Sequence, residues 1–156
     1  MFRNMRRKER ESSLEDARQF LKDATHGVLS TISVDNGYPY GVTVNHIYLN
    51  GHIYFHCAKK GHKIDNIIYN NNVSFTATAL AEIKQQSYST KYKSTTVFGK
   101  AYIVEDKEEV KDALYEISRR FTGKFFAKAS SEIAASINRT LVVRIEIDDM
   151  KGKSNK

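Results

Sequence analysis

The stretch Tyr54-Phe55-His56-Cys57-Ala58-Lys59-Lys60-Gly61-His62-Lys63-Ile64-Asp65 joins two periodicities. Its first part is aromatic and apolar in the manner of a strand, whereas Ile64, Ile67 and Ile68 recur at helical spacing. A short basic loop lies between, and Gly61 lets the backbone turn tightly at its end. The N–H groups of the helix's first turn, the positive end of its dipole and donors from His62 and Lys63 would converge on one anion there, a phosphate socket. The plain alternative is a strand-to-helix connection whose lysines are merely solvated, and basic loops of that kind are common.

Working outward, Val28–Val34 is rich in strand formers, Asp35-Asn36-Gly37 signals a turn, Tyr40–Leu49 resumes strand character, and Asn50-Gly51 turns into Ile53–Ala58. The pattern predicts a three-stranded antiparallel meander. Upstream, Ser12 and Glu15 have the form of a capping box, and Leu14, Ala17, Phe20, Leu21 and Ala24 form one stripe, predicting a helix over 13–24. Downstream come a short helix near 62–70 and strands Val73–Ile83 and Thr95–Glu105 around a polar, tyrosine-bearing segment. Asp106 then precedes an amphipathic helix with Val110, Ala113, Leu114, Ile117 and Phe121 on one face, and Leu141–Ile147 alternates as a half-buried strand. The fold class predicted is mainly β (α+β), a six-stranded antiparallel barrel, closed or partly closed, with flanking helices.

The 156 residues suit a single domain, 1–156, with one core. The lone Cys57 excludes an internal disulfide framework, and no apolar run is long enough to span a bilayer, so a cytoplasmic protein without membrane contact is expected. The net charge of +7 raises nucleic acid as a partner. Its distribution argues otherwise. Residues 1–10 hold five bases against Glu9 and residues 151–156 hold Lys151, Lys153 and Lys156; without these ends the totals of 25 and 18 fall to 17 bases and 17 acids. The excess therefore reads as basic tails at about 1–10 and 151–156, with no nucleic-acid face on a balanced body.

Pro39-Tyr40-Gly41-Val42-Thr43-Val44-Asn45-His46-Ile47-Tyr48, the turn at Asn50-Gly51 and the Tyr54–Asp65 stretch together resemble the pyridoxamine 5'-phosphate oxidase-like flavin-binding split barrels. More narrowly, with Met5–Glu11 and Tyr88–Ala101, they resemble the 5-nitroimidazole resistance (Nim) proteins. The resemblance implies FMN as cofactor, a homodimer with the flavin at its interface, and an oxidoreductase passing electrons to a small-molecule acceptor such as a nitro group. It further implies that Thr43, Val44 and Asn45 line the ring, that His56, Cys57 and Ala58 bind the cofactor beside a phosphate held by His62 and Lys63, and that Ser94, Thr95 and Thr96 bind it from the second subunit. In Nim proteins the histidine matching His56 lies beside the flavin's reactive face, which makes His56 the candidate catalytic residue. Two departures are visible. The chain has no tryptophan where many relatives place one, offering Met150 and Lys151, and its phosphate pair is His62-Lys63 where the oxidases proper use arginine-lysine, which argues against vitamin B6 oxidation.

Each candidate has a structural counterpart. His56 could equally be hydrogen-bonded in the barrel wall. Alternation puts Cys57 with Ile53 and Phe55, the setting of a buried, inert thiol. Tyr88, Tyr92 and Phe98 could close over a planar ligand or simply pack. His46, His52, His56 and His62 raise a metal site, but His52 and His56 stand roughly 13 Å apart at strand rise, so no metal is expected. Besides the FMN oxidoreductase, two readings stay open: a flavin-binding or redox-sensing module without turnover, and heme or deazaflavin binding on the same barrel.

Overall fold

The computed structural model describes residues 1–155. After a basic start, the two-residue strand β1 (Glu11–Ser12) leads into helix α1 (Leu14–Asp23). The capping residue is Ser13, one position later than the sequence pattern suggests: its Oγ accepts from the Asp16 amide at 3.0 Å, while Ser12 Oγ donates to Ser154 Oγ at 3.0 Å. Ala17, Phe20, Leu21 and Ala24 are buried as expected, but Leu14 is exposed.

Strands β2 (His26–Ile32), β3 (Pro39–Asn45), β4 (Ile47–Leu49) and β5 (His52–Ala58) follow, then helix α2 (His62–Tyr69), strands β6 (Asn72–Lys84) and β7 (Ser89–Ile103), helices α3 (Lys107–Phe121) and α4 (Ala129–Ser136), and the long strand β8 (Thr140–Asn155). All eight strands join one antiparallel sheet in the order β3-β2-β6-β7-β8-β5-β4, with β1 added to β8. The predicted split-barrel class holds, an antiparallel sheet curled into a half-barrel with helices around it, but the sheet has eight strands where six were expected, because the break at His46 adds one and the short β1 another.

The expected three-stranded meander does not form. The strand predicted over Tyr40–Leu49 breaks at His46, so that β3 pairs with β2 at one edge of the sheet and β4 pairs with β5 at the other. One residue thus links opposite edges, and this link curls the sheet. The break is held by chemistry remote in sequence: His46 is fully buried, its Nε2–H donates to the Leu21 carbonyl at 2.9 Å, and its ring meets the edge of Phe75 at 4.9 Å.

A second difference lies at the C-terminus. The described part of the expected basic tail, Lys151–Asn155, is the end of β8, paired with β7 from Thr96↔Lys151 to Tyr92↔Asn155 and with β1 at Gly152 and Lys153. Gly152 explains how α1 can lie on it, since a Cβ there would stand 3.0 Å from that of Ala17. Helix α4 is absent from the sequence reading because Ile133 and Ile137 supply only one turn's worth of periodicity.

Two apolar clusters hold the fold. Leu21, Leu29, Ile53, Phe55, Phe75, Val97, Val143 and Ile145 fill the barrel. Ile47, Tyr54, Val104, Ala113, Leu114, Ile117 and Val142 join α3 to the outside of β5 and β8. Each buried Val, Leu, Ile or Phe side chain among these contributes about 1.5–3 kcal/mol. Helix α3 starts as predicted, with Asp106 Oδ1 accepting from the Glu109 amide at 2.8 Å. Glu109 in turn accepts from Arg144 at 2.7 and 2.9 Å and from the Tyr54 hydroxyl at 2.8 Å; burial and this carboxylate push the Tyr54 pKa up to about 12. No helix among the described residues is long and apolar enough to cross a membrane.

Candidate functional site

The strand-loop-helix expected from Tyr54–Asp65 is present: β5 ends at Ala58, Lys59–Lys60 cross over, and Gly61 opens α2 at φ 136°, a conformation costly for any side chain. No side chain caps this helix. Its Ile64 and Asp65 amides bond back to the Gly61 carbonyl at 2.8 and 3.2 Å, which leaves the His62 and Lys63 amides free of backbone partners. An anion placed there would meet two N–H groups and the helix dipole.

The two side chains of the expected phosphate pair differ. His62 Nε2 lies 3.0 Å from Ser33 Oγ and 3.6 Å from Asp35 Oδ2, and its ring packs on Tyr40 at 4.2 Å. It is engaged by the β2–β3 hairpin, with a carboxylate beside it. Lys63, like Lys59 and Lys60, has no carboxylate partner among the described residues; unlike them it is half-buried and lies in the first turn of α2. Its ammonium is close enough to Cys57 to favour the thiolate, yet burial outweighs it and pushes the thiol's pKa up. Cys57 packs against the barrel cluster, the buried setting considered for it.

His56 faces the opposite way from Cys57, on the side of β5 that carries Tyr54, and pairs in the ladder with Val142. Part of its ring is exposed, but burial of the rest lowers its pKa. It has no hydrogen-bond partner among the described residues. The alternative of a histidine tied into the barrel wall by hydrogen bonds is therefore not what the structure contains. Ala58 closes the strand, exposed.

The remaining candidates divide by strand parity. Thr43, Val28, Thr76, Thr96 and Lys151 form one cross-strand row, and Gly41, Ser30, Ser74, Phe98 and Asp149 form the next. These rows floor the outer face of β3-β2-β6-β7, a flat surface of small and hydroxyl side chains, to which Asn45 and Ser94 also belong. Phe98 on it is stacked by Phe2 at 5.4 Å. Val44 and Thr95 lie in an inner row with Gly27, Ala77 and Gly152. Thr95 is fully buried, its hydroxyl donating to the Ala17 carbonyl at 2.8 Å. From Val44 and Thr95 only backbone could reach a ligand on the outer face.

The candidate residues fall on distant stretches of the sheet. His56 is paired to Val142 and Thr96 to Lys151, nine residues apart on β8 (142 to 151), roughly 30 Å along the strand. Sequence reasoning missed the surroundings of His62, since Ser33, Asp35 and Tyr40 were visible only as a turn and its flanks, and it missed Val28, Ser30, Ser74 and Thr76, which alternation alone could have placed opposite the core. Among the described residues no three His, Cys, Asp or Glu side chains cluster to hold a metal.

Comparisons with known proteins bear on the fold and the family. A candidate 5-nitroimidazole antibiotic resistance protein from Bacteroides thetaiotaomicron is 26% identical, with a TM-score of 0.74 over 91% of this chain and 84% of that one. Two others show the same fold: a conserved hypothetical protein from Mycobacterium tuberculosis (21% identity, TM-score 0.81, 97% and 90% covered) and an FAD-binding protein from Mesorhizobium loti (22%, 0.69, 94% and 98%). No curated protein sequence matches the chain. Residues 13–154, nearly its whole length, match the sequence model of pyridoxamine 5'-phosphate oxidase, and the chain belongs to that family.

Proposed function

We propose that this protein is an FMN-dependent oxidoreductase that works as a homodimer, with each flavin held between two copies and a small nitro- or quinone-type compound as electron acceptor. The observation that carries the reading is the uncapped first turn of α2 with Lys63 free beside it, in a chain of this family. One anionic site of this size suits a single phosphate, and no glycine-rich strand-turn-helix is present for a pyrophosphate, which favours FMN over FAD. The roughly 30 Å of β8 that separates the partner of His56 from that of Thr96 favours the dimer, in which different copies would supply the two to one ligand. The likeness to the Bacteroides protein favours a nitro acceptor.

In this reading Lys63 and the His62 and Lys63 amides hold the phosphate, and His62, steadied by Ser33 and Tyr40, shapes the turn. Thr43 and Asn45 from one copy and Ser94 and Thr96 from the other offer hydroxyl and amide groups to the ring's polar edge. His56 orients or protonates the acceptor. When bound, the flavin supplies the electron transfer itself. The spectrum of the protein as purified, followed by an FMN titration of parent and Lys63→Ala, tests the assignment. Loss of Lys63 should weaken FMN by about 1.5–3 kcal/mol; equal affinity would place the phosphate elsewhere.

A further inference from the structure

Three segments far apart in the chain carry its basic excess: residues 1–12, the β6–β7 hairpin over residues 80–93, and β8 past the irregularity in its pairing with β7, residues 149–155. Together they hold ten bases and four acids, whereas the remaining fifteen bases and fourteen acids nearly cancel. The sheet lays these segments side by side. Lys153 stands opposite Ser94 of β7 on one flank and Glu11 of β1 on the other, Lys93 stands opposite Ser154, and Tyr92 stands opposite Asn155. Phe2 stacks on Phe98 at 5.4 Å, which ties the stretch carrying Arg3 and Arg6 to β7 as well. Lys151 and Lys153, a tail when the sequence is read alone, thus belong to a folded surface, in which β7, β8 and β1 span about 10 Å at roughly 4.8 Å per strand.

Ion pairing sorts the charges of this surface. Each of the four acids faces a base: Glu9 and Arg7 at 2.6 Å, Glu11 and Lys8 at 3.6 Å, Glu82 and Lys84 at 2.5 Å, Asp149 and Lys151 at 3.3 Å. Six cations, Arg3, Arg6, Arg10, Lys91, Lys93 and Lys153, have no carboxylate at such a distance among the described residues. Asp16 borders the same hollow as Arg10, but its carboxylate accepts from the Ser13 hydroxyl at 2.9 Å. Rings lie among these cations. Tyr88, beside the turn Gln85–Ser87, is 99% exposed, and the Lys153 ammonium lies 5.4 Å from the centroid of the half-buried Tyr92 ring.

We infer that this end of the sheet binds a single-stranded nucleic acid, with the six unpaired cations meeting phosphates and Tyr88 stacking on a base. Like charges gathered on one end of a small domain repel one another, and a polyanion that joins them releases its own counterions. The exposed ring selects among polyanions, because unpaired bases stack on aromatic side chains and an acidic peptide has no such need of them. An anionic membrane would take the charge but would require one continuous apolar face to bury, whereas the cations here run along β7, β8 and β1. The surface lies at the end of the sheet beyond Ser94, apart from the turn of α2 assigned to the phosphate, so it stands or falls independently of the flavin.

Fluorescence anisotropy of labelled oligouridine and oligothymidine with the full chain as purified tests it. At least one of the two should bind, and the logarithm of its binding constant should fall against that of the salt concentration with a slope of about −2 to −3, the value for three or four phosphates on a single strand. Lys93→Glu and the double change Arg3→Glu with Arg6→Glu should each weaken binding about tenfold or more at low salt. Residues 1–7 belong to no helix or strand, so the double change leaves the fold intact. Tyr88 has φ 48° and ψ 41°, a backbone that suits glycine, and Tyr88→Gly should weaken binding about fivefold or more through lost stacking alone. Absence of binding to both strands at low salt would overturn the inference, as would affinities that ignore the charge reversals. Charge reversals that weaken binding while Tyr88→Gly does not would overturn the recognition of bases. Equal or tighter binding to a duplex, to polyglutamate or to phosphatidylglycerol vesicles would overturn the choice of partner.

Discussion

The outer surface of this sheet is treated in two ways. Behind β5 and β8 it is roofed by α3, where Tyr54, Val142 and Ile47 are buried and the Glu109–Arg144–Tyr54 network leaves little free polar surface. Across β3-β2-β6-β7 the same kind of surface is bare, with Val28, Thr43 and Thr76 open to solvent and Phe98 covered only in part by Phe2. The roofed region satisfies most of its groups within the chain, Arg144 Nε excepted. The bare region has flat, small, hydroxyl-rich side chains and no internal partner, which is how a surface looks when its partner is another molecule. His56 sits at the margin, on the roofed strand yet partly exposed and without a hydrogen-bond partner among the described residues.

That margin carries the largest expected effect. If His56 orients or protonates the acceptor, His56→Ala should keep its FMN and its melting temperature while turnover per bound flavin drops roughly 10²–10⁴-fold, the usual worth of a general acid or base. NAD(P)H-linked nitro reduction, flavin occupancy and melting measured on one preparation decide it. A lower melting temperature with an unchanged rate per flavin would return His56 to the roofed, structural region.

The interior gives the next effect, on stability alone. Burial, helped by the nearby Arg120 cation, lowers the His46 pKa from 6.5 to about 4, against a smaller opposing contribution from the Leu21 carbonyl. Protonation of His46 therefore favours the unfolded chain. Its contribution is complete above pH 6.5 and is lost as the pH falls toward 4, a difference of about 3 kcal/mol between pH 7.5 and pH 4. Urea unfolding at the two pH values, in the parent and in His46→Gln, should show a drop smaller by about that amount in the variant. Equal drops would mean that the strand break is held without a neutral histidine.

His46 also shows where sequence reading stops. The strand alternation of Tyr40–Leu49 runs through it without a signal, because the break depends on a carbonyl 25 residues upstream and on a ring 29 residues downstream. Local signals were legible where the cause is local: Asp106 as a cap, Gly61 as the turn before α2, the stripe of α1. Lys151–Asn155 read as a tail because their partners, on β7 and β1, lie far off in the chain. The same holds for the site. The loop from Ala58 to Lys63 could be found from its composition, but the engagement of His62 by Ser33 and Asp35 could not. Nor could the parity that sends Thr96 outward and Thr95 inward be fixed before the ladder of β7 was known.

Those two threonines give the smallest and most pointed test of the comparison. They are adjacent, alike in chemistry and opposite in role. Thr95 is buried and bonded to the Ala17 carbonyl; Thr96 is half-exposed on the outer face, and its hydroxyl has no partner among the described residues. Thr95→Val should cost about 1 kcal/mol of stability, the worth of one internal hydrogen bond, and leave the FMN affinity of the folded protein unchanged. Thr96→Val should leave stability within about 0.5 kcal/mol, as surface changes do, and weaken FMN by about 0.5–1.5 kcal/mol if its hydroxyl meets the flavin. Urea unfolding and FMN titration of both variants read the four numbers. Should Thr96→Val bind FMN as the parent does while dimerisation weakens, the bare face would belong to the second copy, with the ring lying nearer to β5 and α2. Should neither FMN affinity nor dimerisation change, this face would lose its claim to a partner, because a surface that matters to no ligand and no copy is bare for no reason that its chemistry supplies.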